Sequence, residues 1–302
     1  MRGDRRVWGY ALVLLAALCW ASIGIFYTVA VRDFGLSPLT VAAYRALLAG
    51  LILGVFLLFR GVDAFLLQVR HVPLFVGYVL FGIVAFYAVY VYAIALVGMA
   101  VAAVLLYTAP AWVALIAWLF LGEPITRRVM GALVLTWIGV ILVAQAYDLG
   151  HVRVNAWGLA AGLLSGLTYG LYSVFQKVAV RHYRPWTVQW YGLFLGGILL
   201  ALIQPGDLWA PLREQELWWW LLGLALIPTL GGGLAYSIGV QWIPVSVASI
   251  VATLEPVAAT FFGYVFLKER LHPTQWVGGL FILTAVWLLR PRGGDVDAST
   301  AG

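Results

Sequence analysis

The stretch Trp8–Arg32, WGYALVLLAALCWASIGIFYTVAVR, returns 149 residues later as Trp157–Arg181, WGLAAGLLSGLTYGLYSVFQKVAVR. Trp8, Gly9, Ala11, Leu14, Leu15, Leu18, Phe26, Val29, Ala30, Val31 and Arg32 recur, 11 of 25 positions, more than shared apolar composition supplies. The correspondence continues with small shifts. Thr40-Val41 and Tyr44 fall on Thr187-Val188 and Tyr191, Pro110 on Pro256, Glu123 on Glu269, and Gly131 on Gly278. The chain therefore contains one unit twice. In an apolar chain that duplication points to a carrier assembled from two copies of a membrane unit.

The composition agrees. Of 302 residues, 64% are hydrophobic and 10% charged, where a soluble domain carries ~25% charged. Mean hydropathy is +0.99. A single cysteine, Cys19, excludes a disulfide framework and a cysteine-based metal site. The net charge of +6 does not indicate a nucleic-acid partner, because its arginines lie in short loops between apolar runs, where they set orientation. Arg2, Arg5 and Arg6 ahead of Leu12–Leu18 have the look of a signal peptide. The segment matches Trp157–Val180, which cannot be one, and so reads as a retained first span.

A helix needs ~20 apolar residues to cross a bilayer core. Ten runs qualify or nearly so: Trp8–Val31, Pro38–Phe59, Pro73–Leu96, Ala100–Leu121, Thr126–Ala146, Trp157–Val180, Trp186–Gln204, Glu216–Gln241, Val245–Leu267 and Pro273–Leu289. Run length and the absence of period-2 alternation favour helices over a barrel. Val97-Gly98-Met99 and Trp242-Ile243-Pro244 are nearly apolar joints that match each other, and read as tight hairpins. The expected fold is an all-α integral membrane protein of ten transmembrane helices. Residues 1–147 form the first five-helix repeat, 148–291 the second, and 292–302 a disordered tail.

Lys and Arg give the orientation. With the N-terminus inside, the inner side holds Arg2, Arg5, Arg6, Arg60, Arg70, Arg127, Arg128, Lys177, Arg181, Arg184, Arg290 and Arg292. The outer side holds Arg32, Arg153, Arg213, Lys268 and Arg270, and Arg45 falls within a span. The bias places both termini in the cytoplasm. Five spans per copy is an odd number, so the second copy enters the membrane inverted. Inverted repeats put a substrate site near the midplane, between the copies.

Two charges interrupt the apolar runs. Glu255 lies ten residues into the ninth run, ~15 Å deep at 1.5 Å per residue, and Pro256 follows it, removing a backbone donor and loosening the helix. Arg45 lies seven residues into the second run. Ionisable groups in a bilayer are costly and mark function by default. Glu255 is a candidate for substrate or proton binding, the alternative being a hydrogen-bonded packing residue. Arg45 either receives an anionic group of the substrate, pairs with Glu255, or reaches back to the interface. Mid-span aromatics form a third signal. Trp20 matches Tyr169, Tyr90 matches Tyr236, and Tyr87, Tyr92, Tyr107 and Tyr172 join them, with Gln176 and Gln241 as uncharged polar groups. Aromatic walls with a few polar tips suit small amphipathic ligands or cations, although Trp and Tyr near span ends are ordinary interface anchors. Pro110 and Pro256 are matched helix breaks. Gly231-Gly232-Gly233 permits close helix approach or bending. Glu123 and Glu269, each ahead of the next helix, read as caps and as loop partners of Arg127, Arg128 or Arg270.

Several motifs have a family look. The first copy carries Leu18-Cys19-Trp20-Ala21-Ser22, Ala43-Tyr44-Arg45-Ala46-Leu47, and Thr108-Ala109-Pro110 running to Leu121-Gly122-Glu123. The second carries Leu167-Thr168-Tyr169-Gly170, Leu254-Glu255-Pro256-Val257-Ala258-Ala259 and Lys268-Glu269-Arg270-Leu271. Their order and doubling resemble the EamA domains of the drug/metabolite transporter superfamily, over about Trp8 to Leu289. The resemblance implies a ten-helix carrier of small metabolites, frequently an exporter. Two departures stand out: Ala109-Pro110 replaces the Glu-Pro of the second copy, and span 1 lacks the membrane acid of the related four-span multidrug pumps.

The expected function is secondary transport of a small organic metabolite, an amino acid or related amphipathic compound, by alternating access in a bacterial cytoplasmic membrane. Export and proton coupling fit that reading. The expected partners are the substrate and the lipid bilayer, with the chain a monomer or homodimer and no cofactor or metal. A channel would need rings of polar pore-lining residues. An intramembrane enzyme is disfavoured because His71, His151, His182 and His272 all fall in loops, and no Walker A sequence encodes ATP-driven pumping. A non-transporting scaffold would not need Glu255 or Arg45 in the bilayer.

Overall fold

A computed structural model describes residues 2–147, 155–204, 206, 208–268 and 270–290, and these contain helices and no strand. In chain order the long helices are α1 (Arg5–Asp33), α2 (Pro38–Arg60), α3 (Val62–Val97), α4 (Met99–Leu121), α5 (Arg127–Val143), α6 (Ala156–Ala179), α7 (Pro185–Ile203), α8 (Gln215–Gly239), α9 (Val245–Phe266) and α10 (Pro273–Leu288). Eight of them are long and apolar enough to cross a membrane. The exceptions are α5, with 17 residues, and α10, with 16. At 1.5 Å per residue these reach ~24–26 Å, a little short of a ~30 Å hydrocarbon core. The sequence counted both as spans; the structure gives eight helices of spanning length among the described residues. The boundary at residues 147/148, His151, Arg153, Glu269, Arg292 and the tail 292–302 lie outside the described residues.

Local chemistry starts the helices where the sequence places them. Ser37 Oγ accepts from Thr40 N–H at 3.1 Å, Thr126 Oγ1 from Val129 N–H at 3.2 Å and Asn155 Oδ1 from Gly158 N–H at 3.1 Å. Each satisfies an orphan donor of α2, α5 or α6. Gly98 ends α3 with φ +81°, a left-handed turn that favours glycine, and α4 begins at the next residue. The α3–α4 joint is thus the tight hairpin its sequence suggested.

The packing follows the duplication. α1 lies against α8 and α9, and its counterpart α6 lies against α3 and α4 in the same way; α2 with α7, α4 with α9 and α5 with α10 pair counterpart to counterpart. The repeats therefore interlock. The recurring Trp-Gly pair shows why. A Cβ on Gly9 would come within 2.9 Å of the Ile243 side chain, and one on Gly158 within 2.6 Å of Val97. In each case the glycine lets the start of one copy's first helix close onto a hairpin flank, Ile243 in the α8–α9 joint and Val97 at the end of α3. The same residue meets the same packing demand at two matched places. α5 and α10 meet through Gly139 and Gly278, where a Cβ on Gly278 would lie 2.6 Å from the Gly139 carbonyl. Their outer faces expose Trp137, Ile138, Trp276 and Trp287.

Candidate functional site

Two helices are interrupted at matched depths. α4 loses helical geometry at Tyr107-Thr108 and resumes at Ala109-Pro110; α9 loses it at Thr253 and resumes at Leu254-Glu255-Pro256. In each break a threonine hydroxyl turns back onto its own helix, Thr108 to Leu105 O at 2.6 Å and Thr253 to Ile250 O at 2.5 Å. Proline is tolerated in a helix's first turn, where its missing N–H would be unpaired anyway. The break therefore makes room for Pro110 and Pro256, both breaks foreseen in the sequence. It also places Glu255 in the first turn of a helix segment, where the positive end of the peptide dipoles favours a carboxylate.

Arg45 reaches this place from α2. It is 7% exposed, and its guanidinium lies 5.3 Å from the centre of the Tyr87 ring. The Tyr27 phenol also faces it, and Glu255 lies within electrostatic reach of Arg45. Tyr87, Tyr90, Tyr107 and Tyr169 all lie within the field of the Glu255 carboxylate. Six helices from both copies (α1, α2, α3, α4, α6 and α9) thus contribute one cation, one anion and a set of phenols to one region. Each element supplies a group that no neighbour in sequence could replace.

The aromatic rings form a continuous wall. Phe86 stacks on Tyr169 with centroids 5.2 Å apart and on Tyr90 at 6.0 Å; Tyr169 continues to Tyr172 at 6.3 Å, and Tyr172 to Tyr236 at 6.3 Å. Trp20 closes the row against Tyr236 at 5.2 Å. The glycine triplet of α8 has a specific use here: Gly232 seats the Trp20 ring and Gly233 seats the Gln189 amide. Between the two helix breaks a small cavity of about 10 Å³ is lined by Tyr107, Pro110, Tyr169, Ser173, Tyr236, Ser249 and Thr253, among others, room for about one water.

Burial increases from this wall toward the hairpin between α8 and α9. Glu255, Tyr27, Tyr87 and Tyr90 are half-buried. Beyond them Gln176 and Ser237 are fully enclosed, at 0% exposure. Gln176 donates to Tyr78 Oη at 3.0 Å, Ser237 donates to Gln176 Oε1, and Gln189 donates to Ser237 Oγ at 3.1 Å. The network ties α3, α6, α7 and α8 with its amide and hydroxyl groups paired, as a buried polar cluster requires.

The α8–α9 hairpin beyond this network is capped at both its ends by residues from elsewhere. The Glu123 carboxylate accepts from Val245 N–H at 2.8 Å, Ser246 N–H at 3.1 Å and Ser246 Oγ at 2.6 Å. Lys177 Nζ donates to the carbonyls of Val240, at 2.5 Å, and Ile243, at 2.8 Å. An anion holds the first N–H groups of α9, and a cation holds carbonyls just past the end of α8, the two orphan sets of a helix–helix joint. This corrects the sequence reading of Glu123. It does cap a helix, but one in the other copy, 122 residues on, and not the helix that follows it. The Lys177 charge, counted among those of the inner side, belongs to the last turn of α6.

Other candidates fall elsewhere. Gln241 lies beyond the end of α8 with Arg181–Trp186, at a surface pocket, and does not join the Glu255 cluster. Depth counted from the start of a long run failed there because the run turns before it ends. Tyr92 is 55% exposed on the outer face of α3. The sequence reading passed over Tyr27, Ser173, Gln189, Ser237 and Thr253. Tyr27 matches Gln176 in the repeat, and that polar match was the available signal. Among the described residues no group of three or more His, Cys, Asp or Glu side chains could hold a metal ion.

Comparison with known proteins gives a consistent result. The model of the EamA-like transporter family matches residues 7–145 and again residues 156–290. An "Uncharacterized transporter" of Archaeoglobus fulgidus is 30% identical over 281 residues, 92% of this chain and 95% of that one. A "Probable terminal-alkyne amino-acid exporter" of Streptantibioticus cattleyicolor is 25% identical and covers 100% of this chain and 99% of its own. A pseudopaline exporter of Pseudomonas aeruginosa is 26% identical over 65% of this chain and 67% of its own. A solved crystal structure superposes with a TM-score of 0.79 at 17% identity, over 97% of this chain and 99% of that one, a likeness of fold.

Proposed function

Because the chain belongs to the EamA-like transporter family, and is a multi-pass membrane protein, we propose that it exports a small zwitterionic metabolite of the amino-acid type by alternating access. One observation carries the substrate class. Arg45 of the first copy and Glu255 of the second lie within electrostatic reach of each other, with a stacked aromatic wall of the same region between α3 and α6. An amino acid bears one charge for each, with its side chain against the rings. The carboxylate goes to the guanidinium, whose planar fork suits it. The ammonium goes to Glu255 and the phenol oxygens. The alkyne-amino-acid exporter among the relatives is named for a substrate of this kind.

In this reading α5 and α10 also cross the bilayer, giving ten spans with both termini in the cytoplasm. The Glu123–Lys177 end then faces the cytoplasm and is closed, and the half-buried site faces outward. The Glu123 and Lys177 caps stabilise the α8–α9 hairpin in that closed arrangement, and opening toward the cytoplasm breaks them. Glu255 couples the cycle to protons. Deprotonated, it holds the ammonium; protonated from outside, it releases it, and the neutral acid crosses back more readily than the charged one.

The test is a thermal-shift screen of the purified protein against amino acids, nucleosides and organic cations, followed by counterflow in proteoliposomes with each stabilising compound. Saturable counterflow of an amino acid, blocked by Arg45→Gln, supports the proposal. Selective counterflow of an organic cation instead, unaffected by Arg45→Gln, would overturn the zwitterion. Conductance without counterflow would make the protein a channel.

A further inference from the structure

A second recognition site lies at the helix ends, away from the Arg45–Glu255 cluster. The loop from α6 to α7 and the end of α8 enclose an open pocket of about 460 Å³, lined by Arg181, His182, Tyr183, Arg184, Trp186 and Gln241, among others. Its volume is in the ~300–1,000 Å³ range of small-molecule sites. Among the described lining residues there is no carboxylate. Arg60 of α2 joins from the side: its guanidinium lies 6.0 Å from the centre of the Trp186 ring, and that of Arg184 lies 5.5 Å from it. Trp186 Nε1 is buried and donates to no group of the protein. Two arginines and one histidine thus line the cavity, with Arg60 beside the Trp186 ring and a buried indole donor that no protein group meets.

Orientation in a membrane accounts for arginines on one side of it. It does not require them to share a pocket, nor to leave an indole donor unmet beside it. An oxyanion with several acceptor oxygens answers both features, since arginine forks and N–H groups are the usual partners of phosphate. The surroundings indicate which phosphate. Arg60 also lies 5.1 Å from the centre of the Phe56 ring, and Phe56 and Phe59 are exposed on the outside of α2. The polar cavity thus opens beside an apolar wall at the end of a spanning helix, the surface an acyl chain would follow.

We propose that this pocket binds the phosphate headgroup of an anionic phospholipid, whose chains run along Phe56 and Phe59. The bound headgroup would bridge the α6–α7 loop, the end of α2 and the end of α8.

The experiment is native mass spectrometry and thermal shift on the whole protein. The additions are phosphatidylglycerol, phosphatidylcholine or inorganic phosphate alone. The expected result is phosphatidylglycerol retained at least fivefold over phosphatidylcholine, with a higher melting temperature, and no such rise with inorganic phosphate. Arg181→Gln/Arg184→Gln should abolish the preference, while Arg127→Gln/Arg128→Gln, which removes the same charge outside the pocket, should keep it. Trp186→Phe preserves the ring and loses only the donor, and should weaken retention severalfold even if the double variant fails to fold. Equal loss in both double variants would reduce the effect to net surface charge and overturn the site. Equal stabilisation by inorganic phosphate would make the ligand a soluble phosphate and overturn the lipid. Absence of any phosphatidylglycerol preference would overturn both.

Discussion

Replacing Glu123 with alanine removes the three hydrogen bonds that hold the start of α9, to Val245 N–H, Ser246 N–H and Ser246 Oγ. Hydrogen bonds to a charged group contribute ~1.5–3 kcal/mol each in mutational series. The sum overstates the loss here, because Glu123 is half-buried and water can reach the freed donors. A net cost of ~2–3 kcal/mol is the reasonable range on that scale. If the bonds exist only while the α8–α9 hairpin is closed, the whole cost falls on that state. At 1.4 kcal/mol per factor of ten, the equilibrium moves toward cytoplasmic opening by ~30–150-fold. Ser246→Ala removes one contact of the three and should move it by less, about fivefold, for ~1 kcal/mol. The assay uses Ser173→Cys, at the cavity between the two helix breaks, in a Cys19→Ala background, which leaves no other thiol. Inside-out vesicles are treated with a membrane-impermeant maleimide. Labelling should be slow in the parent, faster in Ser246→Ala and fastest in Glu123→Ala. Equal labelling rates in all three would refute the idea that this cap holds the cytoplasmic end shut.

Other outcomes follow from the same geometry. Tyr78→Phe strands the Gln176 amide, whose donor loses its 3.0 Å partner in a fully buried network, and should cost ~1–3 kcal/mol, read as a lower melting temperature in detergent. Gly9→Leu and Gly158→Leu should each reduce stability by at least ~1–3 kcal/mol through overpacking, and their similar losses on heating would reflect the matched contacts at Ile243 and Val97. Arg45→Lys keeps the charge but loses the planar fork, and should raise the half-saturating substrate concentration in counterflow about tenfold while leaving melting temperature within a degree or two. A change in melting temperature with no change in transport would assign Arg45 to packing.

The duplication made much of this architecture readable. Trp8-Gly9 and Trp157-Gly158 gave the repeat, and the matched prolines gave the two helix breaks. Glu255 and Arg45 were visible as charges where charge is costly, one in each copy. What was hidden is pairing over long sequence distance, between the copies for Glu123 and within the second copy for Lys177. Nothing near Glu123 in sequence marks Val245 as its partner, and nothing near Lys177 marks Ile243. Such contacts join residues separated by 122 and 66 positions, and only the interlocked packing brings them together. Periodicity also cannot say which way a mid-span aromatic points, which is why Tyr90 and Tyr92, two residues apart, differ in burial. Gln241 was misplaced for a related reason, because the apolar run outlasts its helix.

In the proposed cycle Glu255 is the group that exchanges a proton for the substrate's charge. Glutamine is close in shape to the protonated acid and cannot titrate. The direct measurement is substrate counterflow in proteoliposomes, with and without an imposed pH gradient, for the parent protein and Glu255→Gln. The gradient should drive net substrate movement in the parent, and Glu255→Gln, at whatever exchange rate it retains, should not respond to it. A Glu255→Gln protein driven by the gradient as strongly as the parent would contradict the account.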